Sequence, residues 1–280
     1  MATNLVSQQP TSDPPSGPAI AVCNLRVKYG EREILHGINF EIAAGETLVI
    51  LGGSGSGKST LLRTLIGLER PSGGEIWIRG KNFAAMTGKE HDELRKHLGM
   101  SFQSGALFGS MSVADNVALP LREHTNLDES TIDIVVRLKL DQVGLAGFDN
   151  YMPAQLSGGM KKRAAIARAL AMDPEILFFD EPSAGLDPII AAGIDELILK
   201  LKKAFRMTIV VVTHELASAF LIADRMILLD KGFIVANGTV KELQESKQPR
   251  VRQFLDRVAE PEVARELDYL QMLTEDRRSR

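Results

Sequence analysis

The sequence predicts an α/β protein: a mainly parallel core sheet, an antiparallel β subdomain beside it, and an inserted helical subdomain. Three observations carry this. Short apolar runs such as "LVIL" and "ILFF" read as buried strands and alternate with helical stretches, the pattern of a doubly wound sheet. Two alternating runs near the start, separated by turn residues, read as an antiparallel pair. From Ser104 to about Ala171 no convincing strand signal remains and helical spacing takes over.

Taken in order, residues 20–30 and 32–42 alternate in hydropathy and form the predicted hairpin. Glu46–Leu51 is a short buried strand, Lys58–Leu68 a helix, and "GEIWIRG" a further strand. Residues 88–97 read as helix and Leu98–Gln103 as strand. Within the helical part, "SVADNVALPL" and "DESTIDIVVRLKLDQVGL" have helical spacing, with Asp128 as a candidate cap. Strands return at residues 175–181 and 208–214, separated by a helix over 189–205. A short helix over 216–223 precedes the strands "RMILLD" and "GFIVANG". No internal repeat is visible.

At 280 residues, 44% apolar and 25% charged, the chain has an ordinary globular composition and length enough for a substantial core. The net charge of −3 argues against nucleic acid as a main partner. The single cysteine, Cys23, falls in a predicted strand and reads as a small core hydrophobe. One cysteine cannot make an internal disulfide, which fits a reducing cytosol. No apolar run approaches the roughly 18–20 residues that cross a bilayer.

Residues 1–18 are rich in Pro, Ser, Thr and Gly, lack the basic start and apolar stretch of a secretory signal, and are expected to be disordered. Residues 19–245 are expected to form the main domain, with its helical subdomain at about 104–171, and 246–280 a helical extension. In that extension Val251, Phe254, Leu255 and Val258 fall at helical spacing, and Val263, Leu267 and Leu270 continue the stripe. Its own sheet and a neighbouring molecule are equally open as the surface it docks on.

The strongest motif is "GGSGSGKST", Gly52 to Thr60, placed after a predicted strand and before a predicted helix. It fits G-x-x-x-x-G-K-[ST], the P-loop. Gly52, Gly53, Gly55 and Gly57, with Ser54 and Ser56 between them, allow backbone N–H groups close to phosphate oxygens. The following helix presents its positive end. Lys58 suits the β- and γ-phosphates of a bound nucleotide, and the Ser59 hydroxyl suits Mg²⁺, with Thr60 completing the motif. After "ILFF", Asp180 and Glu181 emerge at a strand's carboxyl end, where open α/β sheets bind ligands. Asp180 suits Mg²⁺ and Glu181 suits polarising an attacking water; a helix cap is the plain alternative. Gln103 and His214 end two further strands, so Gln103 has reach to the metal or the water and His214 to the γ-phosphate and Glu181. Tyr29, ending the first alternating run, is a candidate to stack on adenine, or simply an edge-strand aromatic.

"QLSGGMKKRAAIARAL", residues 155–170, then poses a puzzle. Ser157, Gly158 and Gly159 open a helix and aim backbone donors at an anion, yet bring no lysine and no metal ligand. Such a turn stabilises a γ-phosphate but holds no nucleotide alone. It makes sense as the missing wall of a second copy's site, with two chains head to tail around two ATP molecules.

With that, the chain resembles the ATPase subunits of ABC transporters. The residues that carry the likeness are "GGSGSGKST", Gln103, "LSGGM", "ILFFDE", "SAGLD" and His214, in the family's order, over roughly residues 20–245. The resemblance implies the P-loop ABC-ATPase fold, ATP and Mg²⁺ as ligands, a homodimer, and integral-membrane permease subunits that hold it at the cytoplasmic face of the membrane. It also puts Asp187 in a loop bridging the two sites. Met160 departs from the family, where many members have glutamine; the serine and glycines are intact, so activity is expected to survive. A narrower likeness, in "FQSGALF", "NVALPLREH", "DEPSAGLDP" and "PRVRQFLD", is to the ATPases of MCE-type phospholipid transporters, the Mla systems of double-membraned bacteria. It implies a STAS-domain protein on the helical part, an MCE-domain protein across the inner membrane, and a C-terminal extension able to reach the opposite ATPase.

Rival classes fit less well. Repair-type relatives carry a long coiled coil between the two halves of the site, whereas here only residues 104–156 intervene. Ribosomal types usually join two nucleotide domains in one chain. A GTPase would need an Asn-Lys-x-Asp motif, which the sequence lacks. An inactive scaffold is opposed by Lys58 and Glu181. An ABC importer or exporter of another solute is the serious alternative.

Overall fold

The computed structural model describes residues 17–258. The expected opening hairpin forms from β1 (Ile20–Tyr29) and β2 (Arg32–Ile42), followed by β3 (Thr47–Leu51) and α1 (Lys58–Leu65). Then come β4 (Gly73–Ile78), β5 (Lys81–Asn82), α2 (Gly88–Arg95) and β6 (Leu98–Ser101). Three helices follow, α3 (Val113–His124), α4 (Glu129–Gln142) and α5 (Gly158–Ala169), with no strand among them. The chain continues through β7 (Ile176–Asp180), α6 (Pro188–Phe205), β8 (Thr208–Val212), α7 (Leu216–Ile222), β9 (Arg225–Asp230), β10 (Phe233–Thr239) and α8 (Val240–Glu245).

Two sheets result. One is antiparallel, in the order β2-β1-β4-β5. The other runs β10-β9-β3-β8-β7-β6 and is parallel except for β10. Composition explains the division. β3 and β8 are buried along their whole length and β7 for all but its last residue, as strands covered on both faces must be. The alternating β1 and β2 bury one face only, through Ile20, Val22, Leu25, Val27, Leu35, Ile38, Phe40 and Ile42. That face joins Leu61, Leu62 and Leu65 of α1 and Phe178, Val210 and Ile227 of the parallel sheet in a single core.

Cys23 is exposed, which corrects its reading as a core residue. The β1–β2 register slips between Val22 and Leu25, both of which are buried, and Asn24 takes a left-handed φ of 48°. The bulge turns the two residues between them outward. Among the boundaries that move, three bear on the site. The helix after the P-loop stops at Leu65, not Leu68. The strands expected to include Gln103 and His214 end at Ser101 and Val212, so both residues lie two positions beyond a strand. β5 and α8, too short to show a period, were not anticipated.

The chain divides into two units, one ending at Glu245 and one beginning at Ser246. In the second, α9 (Pro249–Leu255) carries Val251, Phe254 and Leu255, but Val258 lies past its end and is exposed. The expected N-terminal tail, apart from its last two residues, and Val263, Leu267 and Leu270 lie outside the described residues.

Candidate functional site: a crevice at the strand ends

Four parallel strands, β3, β8, β7 and β6, are consecutive in the sheet, and their carboxyl ends line up: Ile50 pairs with Val212, Asp180 with Val212, and Ser101 with Phe179. Everything that follows these strands therefore gathers along one edge. That brings together the loop from Gly52, the Asp180–Glu181 pair, Thr213–His214 and Gln103.

The P-loop leads directly into α1. Gly57 is its N-cap with φ 104°, and no side chain caps the helix. Its first N–H groups are left to whatever lies in front. Only glycine takes that φ without strain, and a Cβ there would also sit 2.8 Å from a methyl of Leu35. Lys58 Nζ folds back over the loop, donating to the carbonyls of Gly52 (2.8 Å) and Gly53 (2.9 Å). Burial lowers its pKa, against the pull of the nearby Glu181 and Asp180 carboxylates. Burial raises the pKa of Asp180, Glu181 adds to the rise, and Arg63, Lys162 and Lys58 oppose it. Ser59 is exposed at the first turn of α1 and Ser56 is buried.

Glu181 is buried to 8% exposure and has a left-handed φ of 47°. Non-glycine residues held there are costly and concentrate at functional sites. Both of its carboxylate oxygens are engaged. Oε1 lies 2.8 Å from His214 Nδ1, and Oε2 accepts from the Thr213 hydroxyl (3.0 Å) and the His214 N–H (3.4 Å). A carboxylate oxygen accepts, so Nδ1 carries a hydrogen towards Glu181. His214 itself is largely exposed.

Gln103 is exposed in the turn after β6. Tyr29, at the end of β1, is 44% exposed and donates through its hydroxyl to Glu69 at 3.0 Å. The second glycine turn stands as expected at a helix start. Ser157 caps α5, its hydroxyl accepting from Met160 N–H at 3.3 Å, and Ser157 and Gly158 are exposed. Gly159 is buried under Ile190, where a Cβ would come within 2.5 Å of the Ile190 side chain. α5 thus starts against the start of α6, which Asp187 caps by accepting from the N–H groups of Ile189 and Ile190 at 3.1 Å.

Sequence reasoning missed several groups that shape this crevice. Lys162 and Arg168 reach from α5 to backbone carbonyls near Gln103. Thr213 holds Glu181. Gly232, between β9 and β10, donates its N–H to Ser56 O (2.9 Å) and accepts from His36 N–H (3.1 Å), linking the P-loop to β2. A buried chain runs from Ser183 to Ser218 (3.3 Å) and from the Ser218 hydroxyl to Asp195 (2.7 Å), fixing the turn after Glu181 to α6 and α7. Only Lys162 left a readable signal, a cation on the helix face that also carries Ala165, Ile166 and Ala169.

The donor set suits a hard cation beside phosphates: a serine hydroxyl, a glutamine amide oxygen and one aspartate. Among the described residues no group of three His, Cys, Asp or Glu side chains is placed to hold a metal ion.

A P-loop at the strand ends, with a second glycine turn opening a different helix, points to a class, and comparison with known proteins gives the same one. Residues 35–184 match the family model described as ABC transporter. The chain belongs to the ABC transporter family as an ATP-binding, ATP-hydrolysing domain. Among its relatives is the intermembrane phospholipid transport system ATP-binding protein MlaF of Haemophilus influenzae, 44% identical over 84% of this chain and 89% of that protein. MlaF of Escherichia coli K12 is 46% identical over 82% and 86%. A probable ribonucleotide transport ATP-binding protein, mkl, of Mycobacterium leprae is 45% identical over 86% of this chain and 70% of that one. Of solved structures, the dimeric post-hydrolysis ATP-binding cassette MJ0796 with ADP and Pi superposes with a TM-score of 0.73, at 32% identity over 79% of this chain and 98% of that one. CbiO1 of Clostridium perfringens, part of the transporter complex cbiONQ, gives 0.76 at 33% identity over 87% and 98%.

Proposed function

We propose that this chain is the ATPase subunit of a transporter that moves phospholipid between the two membranes of a double-membraned bacterium. The observation that carries this is the 44–46% identity to MlaF over more than four-fifths of the chain. In this reading two copies form a homodimer at the cytoplasmic face of the inner membrane. Permease subunits hold them there, since no described helix is long and apolar enough to cross a bilayer. A STAS-domain protein docks on the helical part, where Leu127, Ile134 and Leu138 expose apolar surface, and an MCE-domain protein acts beyond the membrane. Residues 19–245 form the ATPase domain and 246–280 an extension that reaches the opposite copy.

In this reading the residues take the following roles. Tyr29 stacks on adenine; Gly52–Thr60 wraps the phosphates with backbone N–H groups, and Lys58 leaves the loop carbonyls for the β- and γ-phosphates. Ser59, Gln103 and Asp180 would hold Mg²⁺, which would neutralise charge on the phosphate oxygens. Glu181 orients a water and takes its proton as the water oxygen bonds to the γ-phosphorus and the bond to the β-phosphate oxygen breaks. His214 keeps Glu181 in place and offers its other ring nitrogen towards the γ-phosphate. Ser157, Gly158 and Gly159 of one copy close the site of the other, and Asp187 runs between the two sites.

The similarity to mkl favours a second reading, an ABC ATPase serving ribonucleotide or another solute. Affinity purification of the chain from its own membranes separates the two. Co-purification with MCE- and STAS-domain proteins, and ATP turnover of the complex that responds to phospholipid but not to ribonucleotides, is the expected result. A complex without those partners, stimulated by ribonucleotide, refutes the lipid reading.

A further inference from the structure

Lys162 lies one turn past Gly159 in α5 and is only 7% exposed. Its Nζ donates to two backbone carbonyls, Gln103 O at 2.5 Å and Glu181 O at 2.9 Å. These belong to the turns that follow the neighbouring strands β6 and β7. One ammonium therefore spans the backbones from which the proposed metal ligand and the proposed base are hung. Burying an ammonium on a helix face otherwise lined by alanine and isoleucine costs desolvation, which here is offset by hydrogen bonds to the two strand-end carbonyls. Six residues on, Arg168 repeats the device, donating to Ala106 O (2.7 Å) and Gly105 O (2.9 Å). α5 thus grips the whole turn from Gln103 to Ala106, and through Lys162 alone it also grips Glu181.

We propose that Lys162 is a positioning residue for ATP hydrolysis, its ammonium fixing the Gln103 and Glu181 backbones to the helix whose first turn serves the opposite site. This rests on the site assignments proposed above. It gives each copy a rigid connection between its own hydrolytic groups and the Ser157–Gly159 turn it lends to its partner.

The test uses the full-length chain and steady-state ATPase assays with Lys162→Met, Lys162→Arg and Glu181→Gln, alongside thermal melts. Methionine keeps the length and removes the donors, and kcat is expected to fall at least about tenfold while KM for ATP stays within about twofold. Lys162→Met leaves the two carbonyls without that donor, so its melting temperature is expected to fall slightly, and Lys162→Arg is expected to restore it. Arginine can reach both carbonyls and is expected to recover most of kcat. A native kcat in Lys162→Met overturns the proposal. So does a loss accompanied by an equal rise in KM and a lowered melt that arginine does not repair, since that marks a packing role. Glu181→Gln separates the two levels: if it turns over ATP normally, the site assignment itself falls, whereas an inactive Glu181→Gln beside a fully active Lys162→Met removes the lysine alone.

Discussion

Glu181 combines a left-handed backbone, near-complete burial and three hydrogen-bonding partners on its two carboxylate oxygens. A side chain so constrained is presented in one orientation, which is what a base aimed at a single water requires. Glu181→Gln keeps the shape and removes the basicity. It is expected to bind ATP normally and lose about 10²–10⁴-fold in turnover, read by a fluorescent nucleotide titration beside a phosphate-release assay. Lys58→Ala differs in kind. It removes the P-loop's own cation, so nucleotide binding itself is expected to vanish in the same titration.

Among the elements, α3 depends on one buried polar residue. Asn116 has no exposed surface. It accepts from Phe108 N–H at 2.8 Å and donates to the carbonyls of Phe108, Met111 and Ser112 at 2.9–3.2 Å, closing the loop that enters the helix. Pro120, inside α3, has no N–H to give the preceding turn, so the helix has less of its own ladder to rely on. Asn116→Ala strands several buried groups at once, and is expected to cost about 2–4 kcal/mol in denaturant unfolding. Asp195 ties α6 to α7 at a cost that varies with pH. Burial raises its pKa above the ordinary 3.8, so the folded state favours the neutral acid. The penalty for ionising it is absent below that ordinary range and is fully present once pH exceeds the raised value. Asp195→Asn stays neutral throughout and still accepts from Ser218. It is expected to melt higher than the native chain at pH 7, with the gap closing as pH falls towards 4.

At the scale of the whole molecule, the P-loop and the Ser157–Gly159 turn open different helices, α1 and α5, and a mixing experiment is decisive for the shared-site reading. Ser157→Arg spoils only the turn a copy lends, and Lys58→Ala only the loop it keeps. Each alone is expected to be inactive. A mixed dimer contains one site built from an intact loop and an intact turn, so combining the two proteins is expected to restore ATPase activity, measured against total protein. Mixtures as inactive as their components refute composite sites.

Much of this was legible in the sequence. The apolar runs of β3, β7 and β8 and the alternation of β1 and β2 report burial on two faces or one, a property each strand carries locally. "GGSGSGKST" and the Asp180–Glu181 pair are equally local, because phosphate chemistry demands those residue types at those spacings. What the tertiary structure decided is the partnering of distant residues. Cys23 faces outward because a slipped register turns it so. Glu181 meets Thr213 and His214 because β7 lies beside β8. Lys162 is a buried clamp because α5 crosses the ends of β6 and β7. Sequence periodicity reports which face of an element is covered, whereas strand order and register determine which side chains and carbonyls the covering brings within hydrogen-bonding distance.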